Sequence, residues 1–529
     1  MRRSAIHKIP GRRTIPEAPD EAPRYPAAMA NPDLSNPTPA DLTPADPTTS
    51  GSPPSDLSPS ERKPREVREI RNERRMSDVE AMMWNVEKDP YLSSTFGSIT
   101  VLEKAPDFDR LRRRLLVMVR RIPRLHQRVS PALGRLAPPE WQDDPDFDID
   151  YHVRRVALPA PGSQRQLFDF ATHFVQQPWE RTRPLWEFVV VEGMAHGGAA
   201  MVQRMHHTIT DGEGGIRMSE QFIDIVPDAP DVEEVVITPS APDPSNILET
   251  AQETVGHGIR RSLGVVQRAA SGLPDLLLHP VRIANFGPDL VETARSTMRQ
   301  VTVTDGAHSP LWTERSLRRR LDAIDVDFDE AYATAKALGG SLNDFFVTGA
   351  ARGAGAYHAE RGLPVESLRM AMPISTRKDR SAGGNSFVPT RVVVPTDIPD
   401  PIDHFAEVHA RLNATKQEKA IGVMEHVAGL VNVLPTSVLV RFARQQVETV
   451  DFATSNVRAA NFDLFIAGAR ITANYPIGPL SGTAFNLTMM SYKGQLNMGL
   501  HTDTGAIDDP ASLRDHIAEA YRELLASHP

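Results

Sequence analysis

Cysteine is absent from the 529 residues. That excludes disulfides, a thiol nucleophile and any thiolate metal site, and it fits a reducing compartment. Long apolar runs are missing too. The stretch around Val189–Val191 is soon interrupted by Glu192 and His196, well short of the ~20 residues a membrane-spanning helix needs. The N-terminus opens on arginines but lacks the apolar core of a signal peptide. Nor is there a basic excess. A formal net charge of −9 argues against nucleic acid as the main partner, because binding to phosphates needs clustered positive charge. Small anionic ligands need only a local basic pocket, so they stay open. These absences leave a cytoplasmic protein that can still sit on a lipid surface.

The chain is too long for one ordinary core and implies roughly two to four domains. Residues 1–75 differ from the rest: Pro10–Pro64 is rich in Pro, Ser, Thr, Asp and Ala with few large apolar groups. Such a segment buries too little surface to offset its ordering entropy, so a disordered extension is expected. A charged run from Glu61 to Arg75 reads as a solvated arm. Patterned sequence begins at Met76, which marks Met76 as a candidate translation start.

From Asp107 to Val129 the spacing predicts a helix, with Leu111, Leu115, Met118, Val119 and Ile122 on one face. Its arginines, Arg110, Arg112, Arg113, Arg114, Arg120 and Arg121, lie mostly elsewhere. They form either a solvated basic face or a patch for coenzyme A phosphates or anionic lipid. Strands are expected at Phe188–Glu192 and Ala199–Met205. Val232–Ser245 reads as a linker. Ile247–Gln300, broken by Gly272, Pro274, Pro280 and Pro288, reads as a crossover between halves or a surface that touches membrane. Ala331–Leu338 is helical and stops at Gly339–Gly340, and Ser341 is a candidate N-cap for a buried helix after it. Strand-like runs follow at Leu368–Ile374, Arg391–Pro395, Ala484–Ser491 and Gln495–His501. The expected organisation is α/β: extension 1–75, first half 76–235, crossover 236–310, second half 311–529.

Met201–Gly215 reads MVQRMHHTITDGEGG and carries the chemistry. It sets His206 and His207 at the end of an apolar strand, with Asp211 and Gly212 following. Acyl transfer from a thioester to an alcohol needs a base that takes the hydroxyl proton as attack begins. Imidazole, with an ordinary pKa of ~6.5, suits that task. Asp211 is placed to buttress the loop, and Gly212 to permit a turn that bulkier residues resist. His206, His207 and Asp211 could also ligate a metal, but no further ligand cluster and no His-Glu-x-x-His helix accompany them.

HHTITDG resembles the signature of coenzyme A-dependent acyltransferases of the chloramphenicol acetyltransferase-like fold and of peptide-synthetase condensation domains. In order along the chain, SDVEAMMWNVE (Ser77–Glu87), PRLHQRV, DFDIDYHVRRVALPAPG, RPLWEFVVVEG, SLNDFFVTGAARGA, MPISTRKDRSAGGNSF, TSNV (Thr454–Val457) and Tyr475–Asp503 narrow the resemblance to bacterial wax ester synthase/diacylglycerol acyltransferases. One departure stands out: after Val457 that family usually continues Pro-Gly-Pro, whereas this chain reads Arg458-Ala459-Ala460.

The resemblance implies two chloramphenicol acetyltransferase-like subdomains with a tunnel between them. Acyl-CoA would enter as a substrate rather than a cofactor, no metal is called for, and diacylglycerol or a long-chain alcohol would be the acceptor. It further implies peripheral contact with the inner membrane or a lipid droplet. By carry-over His207 is the catalytic base, His206 shapes the pocket or packs, and Asp211 holds the loop. Asn343 and Asp344 match a segment implicated in activity, and helix capping explains them equally well. Pro184, Leu185 and Trp186 read as packing residues. The donor that stabilises the oxyanion is not identified; Asn486 and Ser491 stand aside as unassigned polar positions.

Overall fold

The computed structural model describes residues 74–131, 138–238, 306–375, 387–416 and 436–527. The extension 1–73 and the pieces expected within Ile247–Gln300 lie outside the described residues. The first half supplies strands β1 (Thr95–Leu102), β2 (Gln127–Ser130), β3 (Glu140–Asp143), β4 (Val153–Ala157), β5 (Trp186–Glu192), β6 (Ala199–His206) and β7 (Ile223–Asp224). The second supplies β8 (Arg319–Asp327), β9 (Ser367–Ser375), β10 (Phe387–Pro395), β11 (Phe452–Arg458), β12 (Phe465–Ile466), β13 (Ala469–Ile477), β14 (Phe485–Tyr492) and β15 (Gln495–Asp503).

One sheet runs β4-β5-β6-β1-β13-β12-β7 and the other β10-β9-β11-β14-β15-β8. The halves therefore interlock: β13, from late in the chain, lies antiparallel to β1 with Gly97 opposite Ile477. In the second sheet one face packs its apolar residues, among them Phe452, Phe485, Leu487, Met489, Met498 and Leu500, into the second core. Its opposite face places Ala453, Asn486 and His501 in one row and Ser455, Thr488 and Gly499 in the next. This polar face meets β13. Asn474 N–H donates to Asn497 Oδ1 at 3.1 Å, and Tyr475 Oη donates to Asp325 Oδ2 at 3.0 Å. A Cβ at Gly499 would stand 1.9 Å from the Pro476 carbonyl oxygen, so only glycine lets the two sheets approach this closely.

The basic helix runs from Phe108 to Arg121, N-capped by Asp107, and buries Leu111, Leu115, Met118 and Val119 completely. It stops well short of Val129. Pro123 disfavours helical geometry at Ile122 and brings no N–H to continue the ladder, and β2 starts at Gln127. Arg120 and Arg121 at its end are exposed, but the other four arginines form neither a solvated face nor an open anion patch. Arg114 holds the buried Asp224 at 2.8 Å and Arg110 approaches it at 3.5 Å. Arg113 pairs with Asp231, and Arg112 reaches Asp150 at 2.7 Å and Glu234 at 3.6 Å. The acidic stretch after β7 folds back over the first turns of the helix, where Ala229 O and Pro230 O also accept from Arg110 and Arg114.

In the second half, Gly339 (φ +80°) ends the helix Phe328–Ala337, as its sequence predicts. Ser341 then caps the buried helix Leu342–Glu360. Regular contacts at the start of the described chain begin just before Met76: Arg75 pairs with Glu140 at 2.9 Å, and Arg74 O accepts from Trp141 N.

Candidate active site

Strand β6 ends at His206, opposite Thr95 of β1. The His206 amide donates to Leu185 O at 3.0 Å and the His207 amide to Ser94 O at 3.2 Å. The two adjacent histidines thus hang from different neighbours, and their rings go to different places.

His206 is fully buried. Its Nδ1 accepts from the Thr208 amide at 3.1 Å and lies 2.8 Å from Thr208 Oγ1. A backbone N–H can only donate, so the network assigns the proton to Nε2. That nitrogen faces Glu87 Oε2 at 3.3 Å. Glu87 also accepts from Ser93 Oγ and from the Ser94 amide, both at 2.6 Å. His206 is held through Nδ1 and enclosed by the protein.

His207 is half-buried and lies against Phe96, ring centroids 4.5 Å apart at 38°. Asp211 is buried and N-caps the short helix Gly212–Ser219, accepting from the Gly214 amide at 2.8 Å. Its carboxylate is turned to the helix start. Gly212 is the first residue of that helix and has ordinary helical geometry, so it does not supply the turn expected of it. What it supplies is room: a Cβ there would meet Val457 Cγ2 at 3.3 Å. That contact sets the histidine loop against β11, so Thr454–Val457 of the second half borders the site.

The chain leaves the second sheet just after Arg458, which still pairs with Ser491 at the end of β11. Arg458 is exposed, the Ala459 amide donates to Ser491 O at 3.1 Å, and Ala459 and Ala460 pack on the first core. Trp186 is fully buried, its indole N–H on Leu125 O at 2.8 Å, and stacks on His152. The Pro-Leu-Trp segment is thus packed, and through Leu185 O it holds the backbone of His206.

Asn343 and Asp344 lie on the helix Leu342–Glu360. Asp344 completes a capping box with Ser341 and receives His409 Nδ1–H at 2.8 Å. Its carboxylate oxygen Oδ2 bonds to these two partners and not to the histidine loop. The structure therefore brings His206, His207, Asp211 and Gly212 together and ties Asp344 into the helix pair of the second half. Sequence reasoning gave no role to Glu87, Ser93, Ser94 or Phe96. The available signal was slight: one acid, Glu87, closing a mostly apolar helix, with two serines soon after.

Family models match the wax ester synthase/diacylglycerol acyltransferase catalytic domain over residues 76–346 and the C-terminal domain of the same family over 383–525. A Mycobacterium tuberculosis protein provisionally named as a diacylglycerol O-acyltransferase is 32% identical over 463 residues, covering 85% of this chain and 92% of the relative. The chain belongs to the wax ester synthase/diacylglycerol acyltransferase family. As a family member it is an acyl-CoA-dependent O-acyltransferase. A second mycobacterial relative with the same name is 28% identical over 476 residues, 86% of this chain and 97% of the relative.

The fold agrees. The wax ester synthase/diacylglycerol acyltransferase of Marinobacter aquaeolei VT8 superposes with a TM-score of 0.58 at 20% identity, covering 86% of this chain and all of that one. The starter condensation domain of rhizomide synthetase superposes with a TM-score of 0.53 at 12% identity, covering 85% of this chain and 93% of that one. Among the described residues of this acyltransferase no helix is long and apolar enough to cross a membrane.

Proposed function

We propose that this acyltransferase moves a long-chain fatty acyl group from acyl-CoA to diacylglycerol or a long-chain alcohol, with His207 as general base. The observation that carries the assignment is the divergence of the two histidines. His206 turns both ring nitrogens into the protein, Nδ1 on the Thr208 amide and Nε2 3.3 Å from Glu87 Oε2, while His207 is the half-exposed one, on a loop that borders the second half.

In this reading the acceptor hydroxyl gives its proton to the His207 imidazole as its oxygen attacks the thioester carbonyl carbon. The tetrahedral oxyanion collapses, the C–S bond breaks, and the imidazolium returns the proton to the departing coenzyme A thiolate. No acyl-enzyme and no cofactor enters the balance. Asp211 keeps the loop in place through the helix it caps. A lipid acceptor implies docking on the inner membrane or a lipid droplet through apolar and basic surface.

The test is coenzyme A thiol release from palmitoyl-CoA, with diacylglycerol and hexadecanol offered separately, for wild type and His207→Ala. Acceptor-dependent release that collapses in the variant supports the reading, and the better acceptor names the product. A folded wild type that ignores both acceptors but turns over with an amine or another alcohol supports a specialised acceptor instead. Arg458-Ala459-Ala460, where the family pattern has Pro-Gly-Pro, motivates that second reading.

A further inference from the structure

Between β13 and β14 the chain makes a turn, Gly478–Thr483, whose carbonyls are held by the second half. Gly478 O accepts from His501 Nδ1–H at 3.0 Å and Pro479 O from Asn486 Nδ2–H at 2.8 Å. Leu480 O takes the Thr483 amide at 2.9 Å and its hydroxyl at 2.7 Å, and Gly482 O takes Arg315 Nε–H at 2.8 Å. Asn486 is itself oriented by Thr488 Oγ1, 2.8 Å from its Oδ1. The turn is a bracket fixed to the second sheet.

Ser481 sits in this bracket at φ +45°, a left-handed geometry that a β-carbon makes costly. Glycine, present next door at 482 with φ +87°, would occupy such a position without that cost. What serine adds is its hydroxyl, which donates to Ser93 O at 3.1 Å. Ser93 is adjacent to Ser94, whose carbonyl receives the His207 amide. Glu87 holds the same ledge from the other side, through Ser93 Oγ and the Ser94 amide.

We infer that Ser481 is a positioning residue for His207: its hydroxyl pins the Ser93–Ser94 ledge from the second half and so fixes the height of the base at the junction of the halves. The inference rests on His207 being the base. Its strained backbone is the counterpart of that role, since placement errors of a fraction of an ångström weaken general-base catalysis.

Three variants of the full chain test it: Ser481→Gly, Ser481→Asn and His207→Ala, each measured for Tm and for kcat and KM of acceptor-dependent thiol release. Ser481→Gly removes the hydroxyl and the strain together. Its Tm should hold or rise while kcat falls about five- to tenfold and the KM for acyl-CoA stays within about twofold. Asparagine tolerates left-handed geometry and carries an amide donor, so Ser481→Asn should recover most of the rate. A Ser481→Gly enzyme with wild-type kcat, beside an inactive His207→Ala, overturns the inference alone. A kcat loss that merely tracks a fall in Tm overturns it too. Equal rates for wild type and His207→Ala overturn the base assignment and this inference with it.

Discussion

His206 presents Nε2 to Glu87 Oε2 at 3.3 Å while its other ring nitrogen takes the Thr208 amide. The first histidine of the motif is therefore built into the scaffold beneath the second. His206→Ala should lower stability by about 1–3 kcal/mol, because the Thr208 amide and Glu87 lose a buried partner. Urea unfolding measures this, and the drop should be matched in Glu87→Ala. A His206→Ala protein as stable as wild type would show that the buried contacts contribute little.

Asp224 is the acid on which the basic helix closes. It is completely buried, and burial pushes its carboxyl up despite the neighbouring Arg114 and Arg110. Asp224→Ala would strand the nearly buried Arg114 and is expected to cost about 3–5 kcal/mol. Arg113→Ala removes a solvent-screened pair with Asp231 and should cost far less. Comparable effects of the two substitutions in denaturant titrations would contradict this ranking.

Acid should weaken the fold through two histidines. Burial pushes His152 and His501 down to about 4 from an ordinary 6.5. The unfolded chain then binds protons between those values that the folded chain refuses, so stability is full above pH 6.5 and falls as pH drops towards 4. Each group contributes a slope of up to ~1.4 kcal/mol per pH unit. Unfolding free energies measured across this window should show the slope, and His152→Gln should flatten it. An unchanged slope in that variant would exclude His152 as a contributor.

Asp344 bonds to Ser341 and His409. Asp344→Ala should therefore cost ~1–3 kcal/mol of stability, with thiol release per folded molecule nearly intact. A variant that is folded by circular dichroism yet inactive would restore a direct role in catalysis for the Asn-Asp pair.

The sequence by itself determined what depends on neighbours a few residues apart. Ser341 and Asp107 cap helices because a side-chain oxygen can reach a free amide three residues on, and β5 and β6 follow from continuous apolar runs. The motif around His207 was legible for the same reason: its residue types lie together in the chain. Tertiary structure decided the rest. Strand β13 completes the first sheet from far along the chain, a pairing that no local pattern encodes. The pairing of Arg110 and Arg113 on the helix Phe108–Arg121 could not be read, because their acids, Asp224 and Asp231, come from a segment more than a hundred residues away. His206 and His207 are indistinguishable as letters. Burial, the Thr208 amide and Glu87 commit one ring to the interior, while Phe96 and the Ser93–Ser94 ledge hold the other at the junction of the halves, because hydrogen-bond geometry and solvent access exist only once the chain has folded.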